Sequence, residues 1–475
     1  MRAAAAPILL VCLINGACTL GPDYQRPAID TPATYRFSDT DAQAIVDTGW
    51  WEQFDDPALN ALVVIALAEN KDVKIAAARI DQFLGQFQAT RAQLYPQLAA
   101  GLNGQRQRLP VGSADLPVGV DPVFNQFSAV LSASWEIDVF GRLRRQTEAA
   151  RAALLASEEG RRATILALVA SVASTYVNLV SLDRQLDIAK ATSESRAESV
   201  HVFMLRFKYG EVSEMELAQN QSEYEASLAT IPQLELQIAQ QEDALSVLLG
   251  RNPGPIERGR SLDKLAAPVV PAGLPSELLA RRPDLRQAEQ NLVAANALIG
   301  AARALYFPSI SLTGILGTAS GQFSNLFTGP ARVWSYAGAV TVPIFTAGAI
   351  SGQVKQAEAQ QEQALLEYEK AIQVAFQEVA DALVSVQKTR AALVVQGRQV
   401  DSLRTYARMA RLRYEGGYTS YIEVLDSERS LFNAQLTYAQ TQGTVFISIV
   451  NLYKAMGGGW VEDAEKMTMA APPPP

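Results

Sequence analysis

Histidine and cysteine are nearly missing from this chain: 475 residues include one histidine and two cysteines. That scarcity excludes a disulfide-stapled scaffold and any metal centre built on His and Cys spacing. The one histidine, His201, falls inside a helical pattern, where lone histidines are usually surface residues. No nucleophile elbow accompanies it. The glycine run at Met456 to Trp460 follows a helical pattern rather than opening one, so it reads as a helix end and not as a phosphate cradle. Enzymatic chemistry has no visible carrier. Proline is missing selectively, with none between Pro122 and Pro232 and none between Pro343 and Pro472. Runs that long without a breaker point to helices well beyond the globular norm. An excess of basic charge is missing too: the formal net charge is −8, which argues against nucleic acid as a partner. Past the N-terminus no run of 18 consecutive apolar residues occurs, so no transmembrane helix is expected. A crossing of the membrane would then need a closed β-barrel.

What is there begins with an export signal. Arg2 precedes a short apolar run, and Gly16 and Ala17 sit just before Cys18. Cys12 lies inside the signal, so cleavage after residue 17 leaves Cys18 alone, without an internal disulfide partner. The bland reading is a leftover thiol. The sharper one is a lipid site: "NGAC" looks like a bacterial lipoprotein cleavage box, with Asn15 where Leu is usual and Cys18 as the acylated first residue. Thr19 in place of Asp favours, by the same likeness, sorting to the outer membrane. Each buried methylene of such an anchor contributes about 0.8 kcal/mol.

The chain repeats itself. Asp72, Arg91 and Pro96 match Asp284, Arg303 and Pro308, 212 positions on. The offset then becomes 207, from Ile165/Ile372 through Gly210/Gly417 to Gly250/Gly457. The segment absorbing the shift alternates with period two: Phe127, Ala129, Leu131, Ala133, Trp135, Ile137 and Val139 are apolar between mostly polar neighbours. The second half repeats the pattern around Trp334, Tyr336 and Val340, and each half has an upstream partner strand. A soluble hairpin with one buried face is the ordinary explanation. The export signal and the aromatics Trp135, Trp334 and Tyr336 on the apolar face favour a membrane barrel. Four strands cannot close one, since the smallest need about eight, so several chains must share it.

Each strand pair precedes a long helix with an apolar seam, Ile165, Val169, Val172, Tyr176, Leu179, Leu182 and Leu186 in the first half. Spacings of three and four suit a coiled coil, and 68 breaker-poor positions span roughly 100 Å. Each helix ends at a glycine turn, Tyr209-Gly210 or Gly416-Gly417, after which Ser213 or Ser420 can cap a returning helix. The turn is the tip of a helical hairpin. At the second tip Glu423 and Asp426 share a helix face, with Ile422 beside them. Solvation and helix polarity suffice to explain such acids. If tips from several chains converge, the acids instead line a mouth, attract cations and raise one another's pKa.

These motifs resemble the outer membrane factors of bacterial efflux pumps, the TolC-like trimeric channels, and their lipoprotein branch in particular. The stretches that carry the likeness are "CTLGPDYQRP", "WWEQFDDPAL", "WEIDVFGRLRR", "LLARRPDLRQAE", "YFPSISLTG", "YTSYIEVLDSERSLFNAQL" and "NLYKAMGGGW". The resemblance implies a mainly α fold with an internal two-fold repeat: a long coiled-coil helical barrel in the periplasm and four transmembrane strands per chain. Three chains then form one twelve-stranded outer-membrane β-barrel. It implies a passive gated conduit for small molecules, with a type I protein-secretion channel as the nearest rival and a non-pore coiled-coil surface lipoprotein behind it. The implied partners are two further copies, a periplasmic adaptor, an inner-membrane transporter of the RND type and outer-membrane lipid, with no nucleic acid. No cofactor is implied beyond lipid on Cys18. The implied gate residues are Ile422, Glu423, Asp426, Glu216 and Tyr414, and the implied docking turns hold Gly210, Ser213, Gly417, Thr419 and Ser420. Where some members carry Arg the chain has Thr419, and the first-tip counterpart of Asp426 is Gln219.

The expected organisation is a signal at 1–17, a lipidated segment at 18–55, a first repeat at 56–250 and a proline-rich linker at 251–283. A second repeat follows at 284–460, and 461–475 is expected to be a disordered tail. Strand pairs are expected at about 96–140 and 307–346, and tips at about 206–219 and 413–426.

Overall fold

A computed structural model describes residues 19–28, 35, 43–44, 49–108, 110, 121–268, 271–272, 275–457 and 460–469. The signal segment, Cys18 and the last residues lie outside that set. The helices are α1 (Pro57–Glu69), α2 (Lys71–Ala92), α3 (Arg142–Lys208), α4 (Glu214–Leu248) and α5 (Pro275–Arg281), then α6 (Pro283–Ala304), α7 (Ala349–Glu415), α8 (Tyr421–Ala455) and α9 (Val461–Met469). The longer strands are β1 (Gln97–Arg108), β2 (Val123–Ile137), β3 (Ser309–Ser320) and β4 (Arg332–Thr341). The repeat is visible in lengths: α3 and α7 have 67 residues each, α4 and α8 have 35, and α2 and α6 have 22. Three glycine pairs at the 207 offset, Gly141/Gly348, Gly210/Gly417 and Gly250/Gly457, all have φ between 72° and 85°. A side chain there would be strained, which is why glycine stands at these turns in both halves.

The chain folds as two units. The first takes residues 1–28, 79–157 and 287–369. Its centre is one antiparallel sheet in the order β1-β2-β3-β4. The register puts Trp135 opposite Leu312 and Leu312 opposite Gly338, while Leu316 faces both Leu131 and Trp334, and Gly314 faces Tyr336. Directly paired residues share a face, so Trp135, Trp334 and Tyr336 lie on the same side. Leu98, Leu102, Leu131, Leu312, Leu316 and Val340 join them there. The other face carries Asn103, Ser128, Ser132, Ser134, Glu136, Ser311 and Thr313. The apolar side is open: Leu102 and Tyr336 are each 82% exposed and Trp334 is 70% exposed. Trp135 is more covered, and its indole N–H donates to the Leu94 carbonyl at 3.0 Å. Among the described residues, β1 and β4 each pair along one edge only.

The same unit explains two sequence motifs. In "WEIDVFGRLRR", the Asp138 carboxylate accepts from the backbone N–H of Leu143 at 3.1 Å and of Arg144 at 2.8 Å. It thereby caps the start of α3 across the Gly141 turn. In "LGPDY", Arg145 reaches the Leu20 carbonyl at 3.1 Å and Asp23 at 2.6 Å, while Asn296 donates to the Pro22 carbonyl at 3.0 Å. Gly21 is needed because a Cβ there would sit 2.4 Å from the backbone of Gly300.

The second unit takes residues 29–78, 158–286 and 370–475. The α3 seam is buried here from Ile165 to Leu182, as are Ile372, Val379, Leu383 and Val386 of α7. One 18-residue window of α3 does reach the length and apolarity of a membrane span, against the expectation of none, but 72% of it is buried inside the chain. It is a core stripe of a long helix. Asp56 is fully buried at the start of α1. Its carboxylate accepts from Ala58 N at 2.9 Å, from the Tyr176 hydroxyl at 2.8 Å and from the linker amide of Arg260 at 3.0 Å. Trp50 stacks on Tyr453 at 5.2 Å, and Trp51 meets Trp460 edge-on at 5.1 Å.

The expected disordered tail at 461–475 is corrected in its first part. Val461–Met469 is helical, with Val461 and Ala464 buried. Glu465 accepts from Arg161 at 3.0 Å and from Arg162 at 3.1 Å. The segment before the terminal prolines is short and is held as a helix by its tertiary partners. Residues 470–475 lie outside the described set.

Candidate functional site

The two helical tips lie within the second unit. Both helices end in the same backbone motif. Gly210 N–H donates to the Phe207 carbonyl at 3.0 Å and Glu211 N–H to Arg206 at 2.8 Å. Gly417 and Tyr418 repeat this on Tyr414 at 2.9 Å and Arg413 at 2.8 Å. Such a pair of bonds satisfies the last carbonyls of a helix and requires a left-handed residue between them.

The returning helices start differently. At the first tip Ser213 and Glu216 form a reciprocal capping box: Glu216 N–H donates to the Ser213 hydroxyl at 3.2 Å, and Ser213 N–H to the Glu216 carboxylate at 2.9 Å. Glu216 is therefore committed to its own helix start. At the second tip Ser420 occupies the cap position but makes no side-chain cap bond, contrary to expectation. The acid three residues on, Glu423, turns instead to the preceding helix end. It accepts from Arg413 at 3.2 Å and from the Thr419 hydroxyl. Arg413 draws Glu423 away from the reciprocal arrangement seen at the first tip.

Ile422, Glu423 and Asp426 come together, lining one hollow with Gln219, Glu223, Tyr406 and Arg429. Ile422 is 55% exposed. Asp426 accepts from Arg429 at 2.7 Å. Glu423 and Asp426 thus each have an arginine partner in their own chain. Exposed pairs of this kind contribute about 0–1 kcal/mol and leave the charges responsive to neighbours. Tyr414 sits elsewhere, against Phe203 and Tyr421, and its hydroxyl accepts from Arg206 at 3.2 Å.

Residues outside the expected set tie the tips together. Tyr421 and Asn220 are almost fully buried, and the Tyr421 hydroxyl donates to the Asn220 side-chain oxygen at 3.0 Å. The Tyr421 ring lies 4.2 Å from that of Phe203. Burial, with help from Glu428, pushes the Tyr421 phenol up to about 12. A signal existed in the sequence. At the 207 offset the counterparts of Asn220 and Tyr421 are Ser427 and Glu214, so the pair breaks the repeat. His201 is exposed on α3.

Comparison with known proteins agrees with this architecture. The family model described as "Outer membrane efflux protein" matches residues 62–251 and 274–458, one copy per repeat. The chain is 36% identical over 472 residues to the antibiotic efflux pump outer membrane protein ArpC of Pseudomonas putida, covering 98% of this chain and 97% of that one. It is 36% identical over 468 residues to the probable outer membrane lipoprotein SilC of Salmonella typhimurium, covering 96% and 98%. Among solved structures, the CmeC outer membrane channel of Campylobacter jejuni superposes with a TM-score of 0.88 at 28% identity, covering 94% of this chain and 97% of that one. Repeat, strand sheet and paired tips together place this chain in the outer membrane efflux protein family.

Proposed function

We propose that three copies of this outer-membrane efflux channel pool their sheets into one twelve-stranded barrel and work as a passive, gated conduit for small molecules. The observation that carries the reading is the sheet. One face is apolar and exposed, the other is polar, and among the described residues both outer strands lack a partner on one side. Unpaired strand edges are not tolerated in lipid, and four strands fall short of the roughly eight a closed barrel needs. Further copies satisfy the edges, turn the apolar face to lipid and enclose the polar one. ArpC is an antibiotic efflux component by name, which supports small molecules as the cargo. SilC is a probable lipoprotein by name, which supports a lipid anchor on Cys18.

In this reading Ile422, Glu423 and Asp426 line the periplasmic mouth, while Glu216 and Tyr414 hold the tips in place. The turns at Gly210, Ser213, Gly417, Thr419 and Ser420 meet a periplasmic adaptor, and an RND-type inner-membrane transporter supplies the energy. The adaptor favours the open form by binding it better than the closed one. The test is conductance in a planar bilayer. Glu423→Ala with Asp426→Ala loosens the mouth, and the current per channel is expected to rise severalfold. A current equal to the unaltered protein's would remove these acids from the gate.

A further inference from the structure

We propose that Asn220 and Tyr421 form a latch between the two tips of one chain and act as positioning residues for the mouth. The inference rests on the gate reading above and adds residues to it. Tyr421 is the residue directly before Ile422 and two before Glu423, so whatever fixes Tyr421 fixes the mouth side chains. Its hydroxyl crosses from α8 to Asn220 on α4, at 3.0 Å and 201 positions away in sequence. Asn220 is held in turn, its amide nitrogen donating to the Glu216 carbonyl at 3.1 Å. That amide is therefore oriented by the first tip before it meets the second.

The surroundings make the bond consequential. Phe203, Ala410, Val424 and Leu425 are buried around Tyr421, with Val212, Leu217 and Tyr414 packed against them. In such a setting a hydroxyl or amide left without a partner pays the full cost of desolvation. Separating the tips would strand both groups, so the latch biases them to stay together. Because neither residue has its match in the other repeat, the latch is formed once per chain and sets the second tip on the first.

The test compares Tyr421→Phe, Asn220→Ala and the double variant in a planar bilayer, with the heat-resistant oligomer on gels as the assembly control. Tyr421→Phe keeps the ring and its packing and removes the hydroxyl, with its bond to Asn220 and its contact with Ser199. The expected result is an intact oligomer whose closed-to-open ratio falls about tenfold, equivalent to about 1.4 kcal/mol. The double variant should be no more open than either single one, since the two groups act as one contact. A Tyr421→Phe channel as closed as the unaltered protein, or fully additive effects in the double variant, would overturn the latch. If those variants are silent while Glu423→Ala with Asp426→Ala opens the channel, the latch fails and the gate stands. If all are silent, both fail.

Discussion

Single residues in this protein take their meaning from what they satisfy. Asp56 shows it: a fully buried carboxylate binds a helix start, a tyrosine hydroxyl on α3 and the linker backbone at once. Asp56→Ala strands its four donors, the Ala58, Leu59 and Arg260 amides and the Tyr176 hydroxyl, and should cost about 3 kcal/mol, seen as a marked drop in apparent melting temperature. Asp56→Asn, which keeps acceptor oxygen, should lose clearly less. Tyr421 gives a pH prediction. Its phenol titrates at about 12 in the folded chain, against about 10 for a free tyrosine. The stabilisation it brings is fully present below pH about 10 and is lost as pH rises through about 12. Conductance should therefore step up between those values, and Tyr421→Phe should lack that step. At this scale the sequence was only partly legible. Ile422, Glu423 and Asp426 could be grouped by helical spacing, and they do share one hollow. The capture of Glu423 by Arg413 depends on how the second turn folds back on its own helix, and the bond from Tyr421 to Asn220 on how two hairpins pack. Spacing within one helix carries no information about that.

Among elements, legibility followed periodicity. The alternation around Trp135, Trp334 and Tyr336 implied a shared face, and the strand register places them on one. Proline-free runs announced α3 and α7, and glycine marked the turn of each hairpin. Short elements held by tertiary partners were harder. Helix α9 has only nine residues, too few to stand alone in water. It forms because Glu465 meets Arg161 and Arg162 and because Val461 and Ala464 are buried. Ending the chain after Trp460 removes those contacts and leaves Arg161 without its Glu465 partner. The truncated protein should assemble with a lower resistance to heat and protease. Ending it after residue 469 should leave both unchanged. Equal behaviour of the two truncations would show that α9 contributes nothing to the fold.

For the whole molecule, the sheet is the feature that a lone chain leaves unresolved. Its exposed apolar face is larger than scattered surface residues explain, and among the described residues its edge strands β1 and β4 are free on one side. Strand count and the rules of lipid were enough to reach that point from the sequence, while the number of copies came from family likeness and not from physics. The most direct test is the mass of the protein extracted in mild detergent, measured by light scattering after size separation. The account predicts a particle with the mass of three processed chains, which needs detergent to remain dispersed. A stable single chain in plain buffer, with Trp334 and Tyr336 shielded from quenchers, would contradict it.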